Sequence, residues 1–361
     1  MVSAKRVPWW TWVWPISGAA LLAFIFMQGL TGATAGITAF AVLAVVFAAV
    51  YHAEIIAHRV GEPFGTLVLA LAVTVIEVAL IVSIMFQDSE GTQTLARDTV
   101  FATVMIICNG LVGLCLLAGG IKHFVQGFQL ESALAALAVL TALTAITLLL
   151  PNVTTSAPGA AYNNSQLVFA GVASLILYGA FIFVQTIRHR DYFLPQENMD
   201  DEETHAPPPT AKNTLISAVL LVVSLVVVVG LAKALSPMIE EGVASAGAPK
   251  AVVGILIAAV VLLPESLAAY RAARANRLQT SMNLALGSAL ATIGLTIPAV
   301  VAASLFLDQQ LSMGLNAKEG VLLAVTLLLS VITVGTGRTT ILQGIVHLVM
   351  FATFLFLTIV P

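Results

Sequence analysis

The chain has 361 residues, 59% hydrophobic and 9% charged, with a mean hydropathy of +1.02. Soluble domains carry about 25% charged residues, so a water-soluble fold is excluded. The formal net charge of −3 gives no sign of a nucleic-acid partner, because phosphate backbones require Lys and Arg clustered on one accessible face.

In chain order, Lys5 and Arg6 precede Trp9, Trp10 and a long apolar run. The charged front resembles a signal sequence, but a full-length span follows it, which favours a retained first helix over a cleaved peptide. Apolar runs then recur between polar breaks, predicting spans near 8–28, 32–52, 65–86, 98–118, 129–150, 166–187, 214–235, 251–271, 282–305, 320–337 and 341–360. Each is close to the roughly 20 residues that cross a bilayer as a helix. Uniformly apolar runs of this length suit helices rather than alternating barrel strands. The fold class expected is therefore an all-α integral membrane protein of about eleven transmembrane helices. Cys108 and Cys115 fall on one helix face two turns apart, too far to bridge, and read as buried thiols.

The longest polar stretch, 188–213, holds Asp200, Asp201, Glu202, Glu203, His205 and the run Pro207, Pro208, Pro209. It reads as a flexible linker, either simply solvated or sensing cytoplasmic calcium. It divides the chain into an N-terminal helix (1–30), a first five-helix repeat (31–187) and a second five-helix repeat (214–361). An odd number of spans per repeat makes the two halves insert with opposite orientation, an architecture common in secondary transporters. Eleven loop Lys and Arg fall on one side (Lys5, Arg6, Arg59, Lys122, Arg188, Arg190, Lys212, Arg271, Arg274, Arg277 and Arg338). Four fall on the other (Arg97, Lys233, Lys250 and Lys318). The positive-inside rule puts the N-terminus in the cytoplasm and, with eleven spans, the C-terminus outside.

Of eighteen acidic residues, two fall deep inside spans: Glu77 in TVIEVAL and Glu265 in VVLLPESLAA. An ionisable group near the bilayer centre costs at least about 2.5–3.5 kcal/mol, so it usually faces a cavity and performs a function; the alternative is interhelical glue. Both occupy the second span of their half, so an inverted pseudo-two-fold would bring them together near the midplane. Two convergent carboxylates suit a hard cation such as Ca2+. Without the metal they cannot both stay ionised and must take up protons. A site that holds either cation or protons, exposed alternately to the two sides, is a cation/proton antiporter.

Pro264 removes a helix donor and frees a carbonyl one turn earlier, predicting open backbone beside Glu265. Gly287, Ser288, Thr292, Gly294 and Pro298 in the ninth span, and Asn109, Gly110 and Gly113 in the fourth, let helices pack closely. Asn109, Ser288 and Thr292 are candidate ion-site neighbours, with ordinary helix packing an equal alternative. His347 and Gln343 read as packing or water-cavity residues, and Arg271, Arg274 and Arg277 as an orientation signal.

The stretch AHRVGEPFGTLVLALAVTVIEVALI resembles the first alpha-repeat of the calcium/cation antiporter superfamily, in its calcium/proton exchanger branch. Arg59, Gly61, Glu62 and Gly65 match that branch's short pattern, and Glu77 falls at the spacing of its ion-binding glutamate. In the second repeat Glu265 is followed at similar spacing by Gly287, Ser288 and Pro298. Where plant and fungal exchangers carry a Gly-Asn pair before each glutamate, this chain has Val73-Thr74 and Val261-Leu262, with Ala291 in place of a helix-nine Gln. These departures bring it nearer the bacterial calcium and sodium/potassium–proton antiporters.

The resemblance implies an antiporter of the bacterial inner membrane. It would export Ca2+, or Na+ or K+, in exchange for H+, with no cofactor. Its partners would be membrane lipid and the transported ions, and a homo-oligomer is compatible. A channel is disfavoured because channels need a selectivity constriction, and a membrane-embedded enzyme because no span carries an Asp in its interior or an HExxH motif.

Overall fold

The apolar runs form helices because a backbone in hydrocarbon must satisfy its N–H and C=O groups within the segment. In a computed structural model that describes residues 8–61, 64–85, 92–193 and 209–360, the first six are α1 (Trp10–Gln28), α2 (Gly32–Val60), α3 (Phe64–Met85), α4 (Gln93–His123), α5 (Leu130–Asn152) and α6 (Asn164–Arg188). The others are α7 (Ala211–Ser245), α8 (Ala251–Arg274), α9 (Leu278–Leu307), α10 (Ala317–Val334) and α11 (Ile341–Ile359). The protein is an all-α, multi-pass integral membrane protein. Among the described residues ten helices are long and apolar enough to cross a bilayer, against eleven spans expected. The difference is α3, whose described apolar stretch is the shorter Ala70–Ser83. The acidic cluster Asp200, Asp201, Glu202 and Glu203, together with His205, Glu62, Lys5 and Arg6, lies outside the described residues.

Two helices run well past their expected ends. α2 continues to Val60 and carries an exposed Glu54, while α7 spans 35 residues and carries Lys233, Glu240 and Glu241. Hydropathy stops at the first charges, but a helix can continue into the interface, where charged side chains reach water. α2 ends at Gly61, whose φ of 80° suits a residue without a Cβ.

The expected open backbone at Pro264 is not where the irregularity lies. α8 passes through Pro264 as a continuous helix, since one missing donor can be tolerated when neighbouring helices surround the site. Instead, π-helical turns interrupt α4 at Ile106–Leu111, α5 at Ala145–Leu149, α6 at Val184–Arg188 and α9 at Thr292–Thr296. Such turns insert an extra residue and are frequent at functional sites. In α5 the Tyr162 hydroxyl donates to the Ile146 carbonyl at 2.7 Å, satisfying a group of the widened turn. Partial burial pushes the Tyr162 phenol up from its ordinary value.

The chain folds into two compact units, Met1–Ile84 with Asp200–Gly242 and Met85–Met199 with Val243–Pro361. Each draws on both sides of the expected linker, so the units interleave the halves 31–187 and 214–361. In the first unit, α1 lies against α2 and α7: a Cβ on Gly18 would sit 2.8 Å from both Val45 and Val227. His52 on α2 joins the three helices. Its Nε2–H donates to the Thr11 carbonyl at 2.9 Å, so Nδ1 of the neutral ring accepts from the Ser217 hydroxyl at 3.2 Å.

In the second unit, α4 and α11 approach closely. A Cβ on Gly344 would fall 2.5 Å from the Leu117 nitrogen, and one on Gly113 would fall 3.0 Å from the Leu348 nitrogen. Small residues permit this backbone approach, as expected for Gly113. Beyond the helix ends, β1 (Gln126–Gly127) pairs antiparallel with β2 (Arg338–Thr339), in the register Gln126 with Thr339 and Gly127 with Arg338. Cys108 and Cys115 are both free and buried, in agreement with their sequence spacing.

Candidate cation-binding site

α8 buries a stripe that includes Val261, Leu262, Glu265, Ala269 and Ala272, at the three- and four-residue spacing of one helix face. Glu265 is therefore drawn into the second unit with its apolar neighbours and is only 6% exposed. A buried carboxylate requires a hydrogen-bonding partner. Ser288 on α9 supplies it, donating its hydroxyl to Glu265 Oε2. Ser288 is itself buried, so the contact is shielded from water. Thr292, one turn further along α9, opens that helix's π-turn, and Thr296 closes it. Both threonines are buried.

Glu77 belongs to the first unit. On α3, Val73, Thr74, Ile76, Glu77, Leu80 and Ile81 form the buried stripe, while Leu71 and Val75 are exposed. Glu77 is 2% exposed. Each glutamate thus sits on the interior face of its helix, as functional intramembrane carboxylates do.

Asn109 goes elsewhere. It lies in the π-turn of α4 and donates its Nδ2–H to Thr326 Oγ1 on α10 at 2.8 Å, while its Oδ1 faces His347 Nδ1 on α11 at 3.1 Å. Its amide is committed to those helices, whereas the side chain hydrogen-bonded to Glu265 is Ser288. His347, read from sequence as a packing or cavity residue, is fully buried, with Nε2 2.9 Å from the Thr333 hydroxyl. Gln343 instead caps α11, accepting from the Thr340 backbone at 2.9 Å. The carbonyl of Arg274 accepts from Lys122 Nζ at 2.9 Å and bonds His123 Nε2 at 3.0 Å, which satisfies the end of α8.

Two hydroxyls escaped the sequence reading. Thr99 and Thr103, one turn apart on α4, are buried, and their Oγ1 atoms have no hydrogen-bond partner among the described residues. Buried hydroxyls without partners are costly and call for an explanation. α4 packs against α8 here, with a Cβ on Gly254 only 3.3 Å from the Thr99 nitrogen. A signal was present in the numbering: Thr99 and Thr103 follow Glu77 by 22 and 26 residues, and Ser288 and Thr292 follow Glu265 by 23 and 27. Each glutamate is thus trailed by a hydroxyl pair on the next helix but at nearly the same distance.

The family model described as sodium/calcium exchanger protein matches residues 19–187 and 216–360. The putative ionic transporter y4hA of Sinorhizobium fredii is 47% identical, covering 100% of this chain and 98% of the relative. The sodium-potassium/proton antiporter ChaA of Escherichia coli is 35% identical over 87% of this chain and 85% of its own length. A crystal structure of the H+/Ca2+ exchanger CAX superposes with a TM-score of 0.70 at 14% identity, covering 96% of this chain and 88% of that one, so it bears on the fold alone. The match extends over both sides of the 188–213 stretch and takes in α3 with Glu77 and α8 with Glu265. The chain belongs to the sodium/calcium exchanger family.

Proposed function

We propose that the protein is a secondary cation/proton antiporter that exports Ca2+ in exchange for H+. Glu77 and Glu265 are its ion-binding carboxylates. The observation that carries this reading is the buried Glu265–Ser288 pair, together with the matching spacing of Thr99 and Thr103 behind Glu77 and of Ser288 and Thr292 behind Glu265. Carboxylates supply the charge that a hard cation needs, and hydroxyls supply neutral oxygen ligands. The repeated spacing also supports reading 31–187 and 214–361 as two inverted copies of one five-helix unit. In that arrangement, alternating exposure of one central site exchanges the two ions across the membrane.

Exchange measured in vesicles containing the purified chain tests this. External Ca2+ should collapse an imposed pH gradient, whereas Ca2+ movement with no opposed proton movement would indicate a channel. A monovalent reading is favoured by one specific finding, the 35% identical relative named a sodium-potassium/proton antiporter. Dissipation by Na+ or K+ with none by Ca2+ would replace the divalent reading with that one.

The orientation follows from the eleven-to-four distribution of loop Lys and Arg: N-terminus and 188–213 stretch in the cytoplasm, C-terminus outside, in a bacterial inner membrane. Reporter fusions at the two termini should report opposite sides. Both on one side would show that the number of crossings is even.

A further inference from the structure

The polar set around Asn109 is buried, and its hydrogen bonds run to Thr326 and His347 rather than to Glu265. Its proton positions follow from the chemistry. Thr326 Oγ1 and Met105 Sδ both lie on one side of the Asn109 amide, the hydroxyl at 2.8 Å and the sulfur at 3.8 Å, and Thr326 Oγ1 itself donates toward that sulfur at 3.5 Å. That side of the amide must be the NH2, which leaves Oδ1 facing His347. An amide oxygen only accepts, so His347 Nδ1 carries the ring proton. Nε2 is then the acceptor, and the Thr333 hydroxyl donates to it. The cavity beside the ring, lined in part by Cys108, Ser330 and Thr333, is ≈ 10 Å³, room for about one water. Asn109, Thr326 and His347 are themselves fully buried, so bulk water does not compete for these bonds.

The anchored residue sits inside the π-turn Ile106–Leu111, and the next residue, Gly110, is covered by the Phe351 ring one turn beyond His347. A π-turn carries one residue more than the α-helix it interrupts. Closing it would turn the preceding part of α4 by about 100° relative to the rest. Thr99 and Thr103 are on that preceding part. We propose that His347 is a positioning residue for the cation site. By holding Asn109, it keeps the α4 π-turn open and thereby aims the Thr99 and Thr103 hydroxyls. This rests on the assignment of those hydroxyls to the site made under Proposed function.

The test is exchange by the full chain in vesicles, with cation concentration varied at several pH values, for His347→Leu, His347→Gln and Thr326→Val. Leu fills the space but makes neither bond. Gln can donate to Asn109 and accept from Thr333. His347→Leu should raise the half-saturating cation concentration by about tenfold or more, the scale on which groups that orient ligands act, with the maximal rate changed by less than about threefold. His347→Gln should recover most of the affinity. Thr326→Val should weaken binding in the same direction, and adding it to His347→Leu should cost little more, because both act through Asn109.

Unchanged affinity in His347→Leu, or a Gln variant as impaired as the Leu variant, would overturn the proposal. So would a shift in the proton dependence at saturating cation in His347→Gln, which would make the ring a proton carrier. If His347→Leu does not yield a monodisperse protein, Thr326→Val decides by the same affinity criterion. Glu265→Gln run alongside separates the two claims. If it exchanges normally, the carboxylate site is wrong; if it is inactive while His347→Leu and Thr326→Val match the parent, only the positioning role is.

Discussion

Glu265→Gln is expected to abolish exchange while leaving insertion and folding intact, and Glu77→Gln is expected to do the same. Gln preserves size and can still take the Ser288 hydroxyl at its amide oxygen, so the α8–α9 contact survives. What is lost is the negative charge and the ability to pick up a proton, and antiport requires both. Even groups that merely orient a metal ligand cost about 10–100-fold in affinity when removed, and loss of a ligand charge should exceed that. Folding should if anything benefit, because a neutral amide is cheaper to bury than a carboxylate. The measurement is cation-driven proton movement in vesicles at matched protein content, with elution profile as the check on folding. Near-normal transport by either variant would remove its glutamate from the mechanism.

The second large effect is on pH. If proton and cation compete for the same carboxylates, apparent cation affinity should be full at alkaline pH and fall as the medium is acidified, because protonation removes the charge on which a hard cation depends. One competing proton lowers affinity by about tenfold per pH unit once the carboxyl titrates, and two by about a hundredfold. The slope therefore counts the protons that exclude one cation. On the exchange proposed above, an inward proton gradient should drive the cation out of the cytoplasm. A half-saturating concentration that stays flat across the pH series would mean that the two ions do not share a site.

The spans were legible because hydrocarbon tolerates little else than long apolar helices, and the two glutamates because nothing else acidic interrupts the apolar runs so deeply. Ser288 was legible from its spacing behind Glu265. That the Asn109 amide bonds Thr326 and His347 was not legible, because hydropathy does not reveal helix phase. Asn109 lies six residues beyond Thr103, about 120° round a regular helix, and a π-turn intervenes. Thr99 and Thr103 were passed over because threonine is ordinary in membrane helices, where it commonly bonds its own backbone, as Thr74 does to Ala70 at 2.9 Å. Only the count from Glu77 sets them apart. The expectation of opened backbone at Pro264 relied on the proline alone, while π-turns leave no single-residue mark. Nor could chain order reveal that the compact units draw from both sides of the 188–213 stretch, since pairing between distant helices is decided by packing surfaces rather than by succession.

The seam between α4 and α11 constrains how the molecule can work. Gly344 is lodged against Leu117 backbone, Gly113 against Leu348 backbone, and just past the helix ends Gln126 and Gly127 are tied to Thr339 and Arg338. A helix pair meshed backbone to backbone cannot slide by a fraction of a turn without lifting one main chain over the other, and a knot of strand hydrogen bonds at one end prevents it from fanning apart there. Beyond its π-turn, α4 is in effect a single beam with α11. Whatever displacement alternately opens the site to the two faces of the membrane must carry this beam whole, and the compliance that transport needs has to come from other joints of the protein.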